Sequence, residues 1–254
     1  MNVAIIVPAR IGSTRFPKKL LHRIKDKPVI VWTADRIKKE APEFPLYFAV
    51  DHESLADVLR RDGYEAIMTD PAHPCGTDRI AEVNRRLNAK YVVNIQADEP
   101  LVTGAQIRQL VELIQQGTEM ATLGTPVRYD KDYRNPNHVK LVCDEKGYAV
   151  YFSRAPIPYL RDTHGAFDAN VAADIPVLIH LGLYAYTAAF LELFCTLRPG
   201  KLEQVEKLEM LRAMERGHRI KVGVTKDTLI EIDTIEQAVE FEQVVTERFP
   251  FHSP

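Results

Sequence analysis

Short, uninterrupted apolar runs alternating with stretches of helical spacing restrict the fold of this 254-residue chain more than any other feature. Val3-Ala4-Ile5-Ile6-Val7, Leu46 to Val50, Ala66 to Met68 and Tyr91 to Ile95 are too short for helices and lack the polar alternation of a half-exposed strand. They predict strands buried on both faces. Between them, Pro28 fits the first turn of a helix that lines up Ile30, Ala34 and Ile37, while Leu55, Val58 and Leu59 share a helix stopped by Gly63. Thr77 caps a helix carrying Ile80, Val83 and Leu87, and Thr103 caps another with Ile107, Leu110, Val111 and Ile114 inward. This alternation predicts an α/β fold built on a doubly wound, mostly parallel sheet with helices on both faces.

The second half breaks the rhythm. His138 to Cys143 and Tyr148 to Phe152 flank the turn Asp144-Glu145-Lys146-Gly147 and predict an inserted antiparallel hairpin. The segment from Pro156 to Pro176 has little periodicity, and a loop of that length serves as a lid or binding loop, or is disordered. A strand at Val177 to Tyr186, helices near Ala188 to Leu197 and Leu202 to Arg216, a strand at Ile220 to Val224 and a final helix from Ile235 follow. With no repeat, low-complexity tract or linker, residues 1–254 are expected to form one domain with a hairpin and a lid-like excursion at about 130–176.

Composition narrows the function. Lys and Arg total 33 against 35 Asp and Glu, so a net charge of -2 provides no global field for a polyanion, and nucleic acid is not an expected partner. Cys75, Cys143 and Cys195 are odd in number and widely spaced, without zinc or redox-pair spacing, which suits a reducing cytoplasm. The first apolar run is cut by Pro8 and Arg10, and no run approaches the roughly 18 apolar residues of a membrane span, so a soluble, unexported chain is expected.

In an open α/β sheet, ligands bind beyond the carboxyl ends of the strands. The segment after the first strand, Pro8 to Lys19, contains Arg10, Arg15, Lys18 and Lys19 with Gly12, Ser13 and Thr14. It is neither a P-loop nor a dinucleotide fingerprint. Charge runs are mostly solvated, yet its place directly after a buried strand favours wrapping a polyphosphate. The fourth strand runs into Gln96-Ala97-Asp98-Glu99-Pro100, where Asp98 is a candidate magnesium ligand or a turn residue. Asp233, before the last helix, is a second candidate ligand or an N-cap. Cys75-Gly76-Thr77-Asp78-Arg79 opens a helix whose free N–H groups suit a base or phosphate, or simple capping by Thr77. His180 lies within a strand, where a core histidine is the ordinary expectation. Neither a zinc cluster nor a serine nucleophile elbow occurs.

In register over Val3 to about Val245, these motifs resemble those of the 3-deoxy-manno-octulosonate (Kdo) cytidylyltransferases, which are Rossmann-like nucleotidyltransferases. The matches are Pro8-Ala9-Arg10, Ser13-Thr14-Arg15, Pro17-Lys18-Lys19, Gly76-Thr77-Asp78-Arg79, Gln96 to Pro100, Tyr151-Phe152-Ser153-Arg154, His180-Leu181-Gly182, Leu202-Glu203-Gln204 and Asp233-Thr234. The resemblance implies magnesium-dependent transfer of CMP from CTP to the 2-hydroxyl of Kdo, releasing pyrophosphate, in a cytoplasmic homodimer serving lipopolysaccharide synthesis. It implies a nucleotide site of Pro8, Ala9, Arg10, Ser13, Thr14, Arg15, Lys19, Cys75, Gly76, Thr77 and Gln96, with Arg15, Lys19 and Asp98 catalytic. It further implies magnesium on Asp98 and Asp233, and the sugar acid facing Arg154, His180, Tyr184 and Met210. Such roles agree with phosphoryl-type transfer, which depends on positioning and charge neutralisation.

Four positions depart from the family pattern. Lys18 stands at a glycine, Ala97 at a glycine, Cys75 at a serine and Met210 at a glutamine expected to touch the sugar. If position 97 requires a positive φ, the loop is strained. Met210 leaves room for a different keto-sugar acid, amino-Kdo or sialic-acid-like, whereas Ala97 and Cys75 leave room for a nonenzymatic nucleotide-binding relative. Retention of Arg15, Lys19, Asp98 and Asp233 favours an enzyme.

Overall fold

The computed structural model describes residues 2–168, 177–227 and 229–248. They fall into two compact units, residues 1–107 with 229–254, and residues 108–228. The first unit contains β1 (Val3–Ala9), β2 (Arg23–Ile24), β3 (Lys27–Pro28), α1 (Val29–Glu40), β4 (Leu46–Val50), α2 (Glu53–Arg61), β5 (Glu65–Met68), α3 (Gly76–Leu87) and β6 (Tyr91–Asn94). Its sheet has the order β6-β1-β4-β5 with every pair parallel. In the centre, Ile5 of β1 lies opposite Leu46 on one side and Val93 on the other, and all seven β1 residues are buried. Two flanking strands and two covered faces account for the unbroken apolar run. The short pair β2-β3 is antiparallel. Because the four strands are parallel, the loops after β1, β4 and β6 leave the same edge of the sheet.

Helix starts follow local chemistry with two corrections. Pro28 is the N-cap residue of α1, not part of its first turn. The helix expected after Thr77 begins at Gly76, with Cys75 extended at the cap and Thr77 inside the first turn. A Cβ at Gly76 would lie 3.3 Å from the Pro8 ring, so the missing side chain lets the backbone turn against β1 before the threonine. Thr103 does cap α4 (Gly104–Gln115): its hydroxyl accepts from the Gln106 N–H at 3.3 Å, and the Gln106 side chain accepts from the Thr103 N–H at 2.9 Å.

The second unit contains β7 (Met120–Pro126), α5 (Asp130–Arg134), β8 (Lys140–Cys143), β9 (Ala149–Ser153), β10 (Leu178–Thr187), α6 (Ala188–Thr196), α7 (Lys201–Glu206), α8 (Leu211–Met214) and β11 (Ile220–Val224); α9 (Ile235–Arg248) belongs to the first unit. Strand β7 pairs parallel with β11 and antiparallel with β10, while β10, β8 and β9 continue antiparallel. The β8-β9 pair is the expected hairpin. Neither β7 nor α5 was expected. The sequence Met-Ala-Thr-Leu-Gly-Thr-Pro has no clear period, and its extended form is imposed by partners on both sides. The helix expected over 202–216 is two short ones, because Lys207 adopts φ 54 after α7. A buried, two-pronged ion pair from Arg212 to Glu203, at 2.6 and 2.9 Å, holds α8 folded back on α7. Of the excursion from 156 to 176, the described part contains only a 3-10 turn at Arg161–Thr163, and residues 169–176 lie outside the described residues.

Candidate active site

At the carboxyl edge of the first unit's sheet lies a cavity of about 250 Å³. It is bordered by Pro8, Arg10, Gly12, Ser13, Thr14, Arg15, Lys19 and Leu20 from β1 and its loop, by Gln96, Ala97 and Asp98 after β6, and by Glu231 and Asp233 before α9. Of the residues expected to bind nucleotide, Ala9 is buried in β1, and Cys75, Gly76 and Thr77 form the start of α3 against Pro8. The Cys75 thiol donates to the Asp78 carboxylate at 2.8 Å.

Lys19 is the hub. Its ammonium donates to the carboxylates of both Asp98 and Asp233, and the Arg15 guanidinium donates to Asp233. Burial lowers the Lys19 pKa, but the charge and hydrogen bonds of the two aspartates outweigh it and hold the ammonium above its ordinary value. Asp233 moves the opposite way: burial raises it, while the Lys19 hydrogen bond and charge bring it below the usual carboxylate range. Asp233 does not cap α9. Thr234 does, accepting the Gln237 N–H at 3.3 Å, which leaves the aspartate side chain for the cavity. The Ile232 N–H donates to the Asp98 carbonyl at 3.0 Å and so joins the two acid-bearing segments.

Glu231 was not singled out from the sequence, although its spacing of two from Asp233 is the signal that places both on one side of an extended segment. One carboxylate oxygen each from Asp98, Glu231 and Asp233 lie within 4.8 Å of one another. Glu231 is an exposed residue with its carboxyl group turned inward; burial of that group first, then the charges of Asp98 and Asp233, push its pKa up to about 8. Three hard oxygen donors at this spacing fit a divalent cation such as magnesium.

The loop carrying Asp98 is anchored from α1. The buried Thr33 hydroxyl donates to the Ala97 carbonyl at 2.9 Å, and Arg36 Nε donates to the Val102 carbonyl at 2.8 Å. Ala97 is not among the residues with positive φ, so alanine fits without strain. Lys18 is different: it takes φ 55 and ψ 30, the left-handed region that favours glycine.

The residues expected to face a sugar acid, Arg154, His180, Tyr184 and Met210, belong to the second unit. His180 Nε2 lies 3.2 Å from the Thr122 hydroxyl, and the ring packs edge-on to Phe152 and tilted against Tyr184, each at 5.3 Å between centroids. Burial lowers the histidine pKa to about 3, so the ring is neutral. A register shift in β10 between Leu181 and Tyr184 sets this arrangement, with the Thr122 hydroxyl reaching the carbonyls of Leu181 and Leu183. The Tyr184 hydroxyl is buried without a hydrogen-bond partner among the described residues, and Met210 is buried nearby in sequence to α8. The Arg154 guanidinium donates to the carbonyls of Glu206 and Pro136, at 2.7 and 2.9 Å.

A parallel sheet whose carboxyl edge carries a basic loop facing clustered carboxylates defines an α/β nucleotidyltransferase-like protein. The solved structure of a CMP:2-keto-3-deoxy-manno-octonic acid synthetase complexed with CTP matches with a TM-score of 0.88 and 30% identity, over 98% of this chain and 100% of that one. A putative glucose-1-phosphate thymidylyltransferase from Bacillus anthracis, 13% identical over 99% of this chain and 98% of its own with a TM-score of 0.65, shares the fold. An 8-amino-3,8-dideoxy-manno-octulosonate cytidylyltransferase of Shewanella sp. (strain ANA-3) is 41% identical over 249 residues, 96% of this chain and 98% of the relative. The cytidylyltransferase family profile matches residues 4–220. The chain belongs to this cytidylyltransferase family of nucleotidyltransferase enzymes.

Proposed function

We propose that this enzyme transfers CMP from CTP to the 2-hydroxyl of an eight-carbon, Kdo-type keto-sugar acid. The observation that carries the reading is the convergence of Arg15 and Lys19 on Asp98 and Asp233 at a cavity bordered by Arg10, Ser13, Thr14 and Gln96. In the reaction the hydroxyl oxygen gives up its proton to solvent and bonds to the α-phosphorus, while the bond from that phosphorus to the α–β bridging oxygen breaks and pyrophosphate leaves with its electron pair. Arg10, Arg15 and Lys19 hold the phosphates, Ser13 and Thr14 supply hydroxyl contacts, and the start of α3 at Cys75, Gly76 and Thr77 seats the cytosine. Asp98 and Asp233, with Glu231 beside them, would hold magnesium, which supplies charge neutralisation at the phosphates. Arg154, His180, Tyr184 and Met210 are assigned to the sugar acid. The cytoplasm and lipopolysaccharide assembly are the proposed setting.

Kdo itself is the first reading of the acceptor. The 8-amino acid is the second, favoured by Met210 and by the 41% identity to an enzyme named for it. Pyrophosphate release measured with CTP and each acid separates them by kcat/KM. Release with neither acid would remove the Kdo-type assignment.

A further inference from the structure

We infer that Asp51 is a positioning residue for nucleotide binding, holding the basic loop in register with the start of α3. It is the first residue beyond β4, and it stands outside the lining of the cavity. One side-chain oxygen accepts the Ile11 N–H at 2.8 Å, and its own N–H donates to the Ala9 carbonyl at 3.3 Å. The loop is therefore gripped on both sides of Arg10, where it leaves β1. The second oxygen lies 3.7 Å from the guanidinium of Arg79, a residue 4% exposed in the first turn of α3 that also donates to the Thr69 hydroxyl and, at 3.3 Å, to the Asp70 carbonyl. One carboxylate thus joins the loop assigned to the triphosphate and the helix start assigned to the base. A mobile loop would have to be ordered when CTP binds, so ordering it beforehand strengthens binding without any contact to the ligand.

The inference rests on the loop being the triphosphate seat, and the test separates the two. Asp51→Asn keeps an acceptor in place for Ile11 and discards the charge facing Arg79. Asp51→Glu keeps the charge and moves the acceptor by a methylene. CTP binding to the full chain is measured by calorimetry, with KM for CTP and for the sugar acid measured alongside. We expect each variant to bind CTP about tenfold more weakly than the parent, because Asp51→Asn gives up the hold on α3 and Asp51→Glu displaces the hold on the loop, each the cost of about one hydrogen bond. KM for the sugar acid should stay within about twofold in both. CTP binding within about twofold of the parent by either variant, or parallel shifts in both KM values, overturns the inference. Absence of CTP binding by the parent overturns the functional reading instead.

Discussion

Lys18 and Lys19 are adjacent and chemically identical, yet their surroundings assign them different work. Lys18 is exposed and left-handed, whereas Lys19 is turned inward onto Asp98 and Asp233. Glycine at position 18 relieves the left-handed backbone, offset by greater freedom of the unfolded chain, so Lys18→Gly should leave stability unchanged or raise it by up to about 1 kcal/mol. Its kcat should stay within about tenfold of the parent. Lys19→Ala should lose on the order of 100-fold in kcat, by analogy with removal of one donor aimed at developing charge. Urea unfolding and steady-state kinetics of the two variants check this, and a larger kcat loss for Lys18→Gly would reverse the assignment. Asp98→Asn and Asp233→Asn should each lower turnover by a similar order or more while the fold persists, read by activity across a magnesium titration and by circular dichroism. Both aspartates were legible in the sequence as acids at strand and helix ends. Glu231 was not singled out, because its part depends on Asp98, which lies more than a hundred residues earlier.

Among the elements, those with strong local signals formed as expected, including β4, β11 and the start of α9. Thr103 owes its capping role to chemistry within four residues, so Thr103→Ala should cost about 1 kcal/mol in chemical denaturation. Strand β7 and the break between α7 and α8 depend on distant partners, and no window of local sequence contains those. The bulge in β10 belongs with them, since Thr122 of β7 meets its carbonyls. It also enables a pH test. His180, with a folded pKa near 3, stays neutral while the unfolded chain takes up a proton on this histidine around pH 6.5. Its contribution to stability is therefore complete above about pH 6.5 and declines as pH falls from there towards 3. His180→Gln should flatten the fall in unfolding free energy over that window relative to the parent, and parallel curves would show that burial of the ring has no such consequence.

At the scale of the whole molecule, β9 pairs only with β8 among the described residues, and Val150 on it is 57% exposed. An edge strand of this kind invites pairing with another chain, which supports the homodimer that the family resemblance implies. Light scattering should give about twice the chain mass, and Val150→Lys should shift the population towards monomer; a parent that remains monomeric at high concentration argues against the dimer. The sequence by itself determined the α/β class, most of the buried strands and the residue types of the candidate site, because each is written in short-range periodicity or in a compact motif. Only the tertiary structure decided that Asp233 turns from its helix to Lys19, that Lys18 occupies a left-handed backbone while Ala97 does not, and that Asp51 and Arg79 link the basic loop to α3. The physical reason is the same in each case: a side chain's partner is set by which strand ends the parallel sheet brings to one edge, and that depends on pairings between segments far apart in the chain.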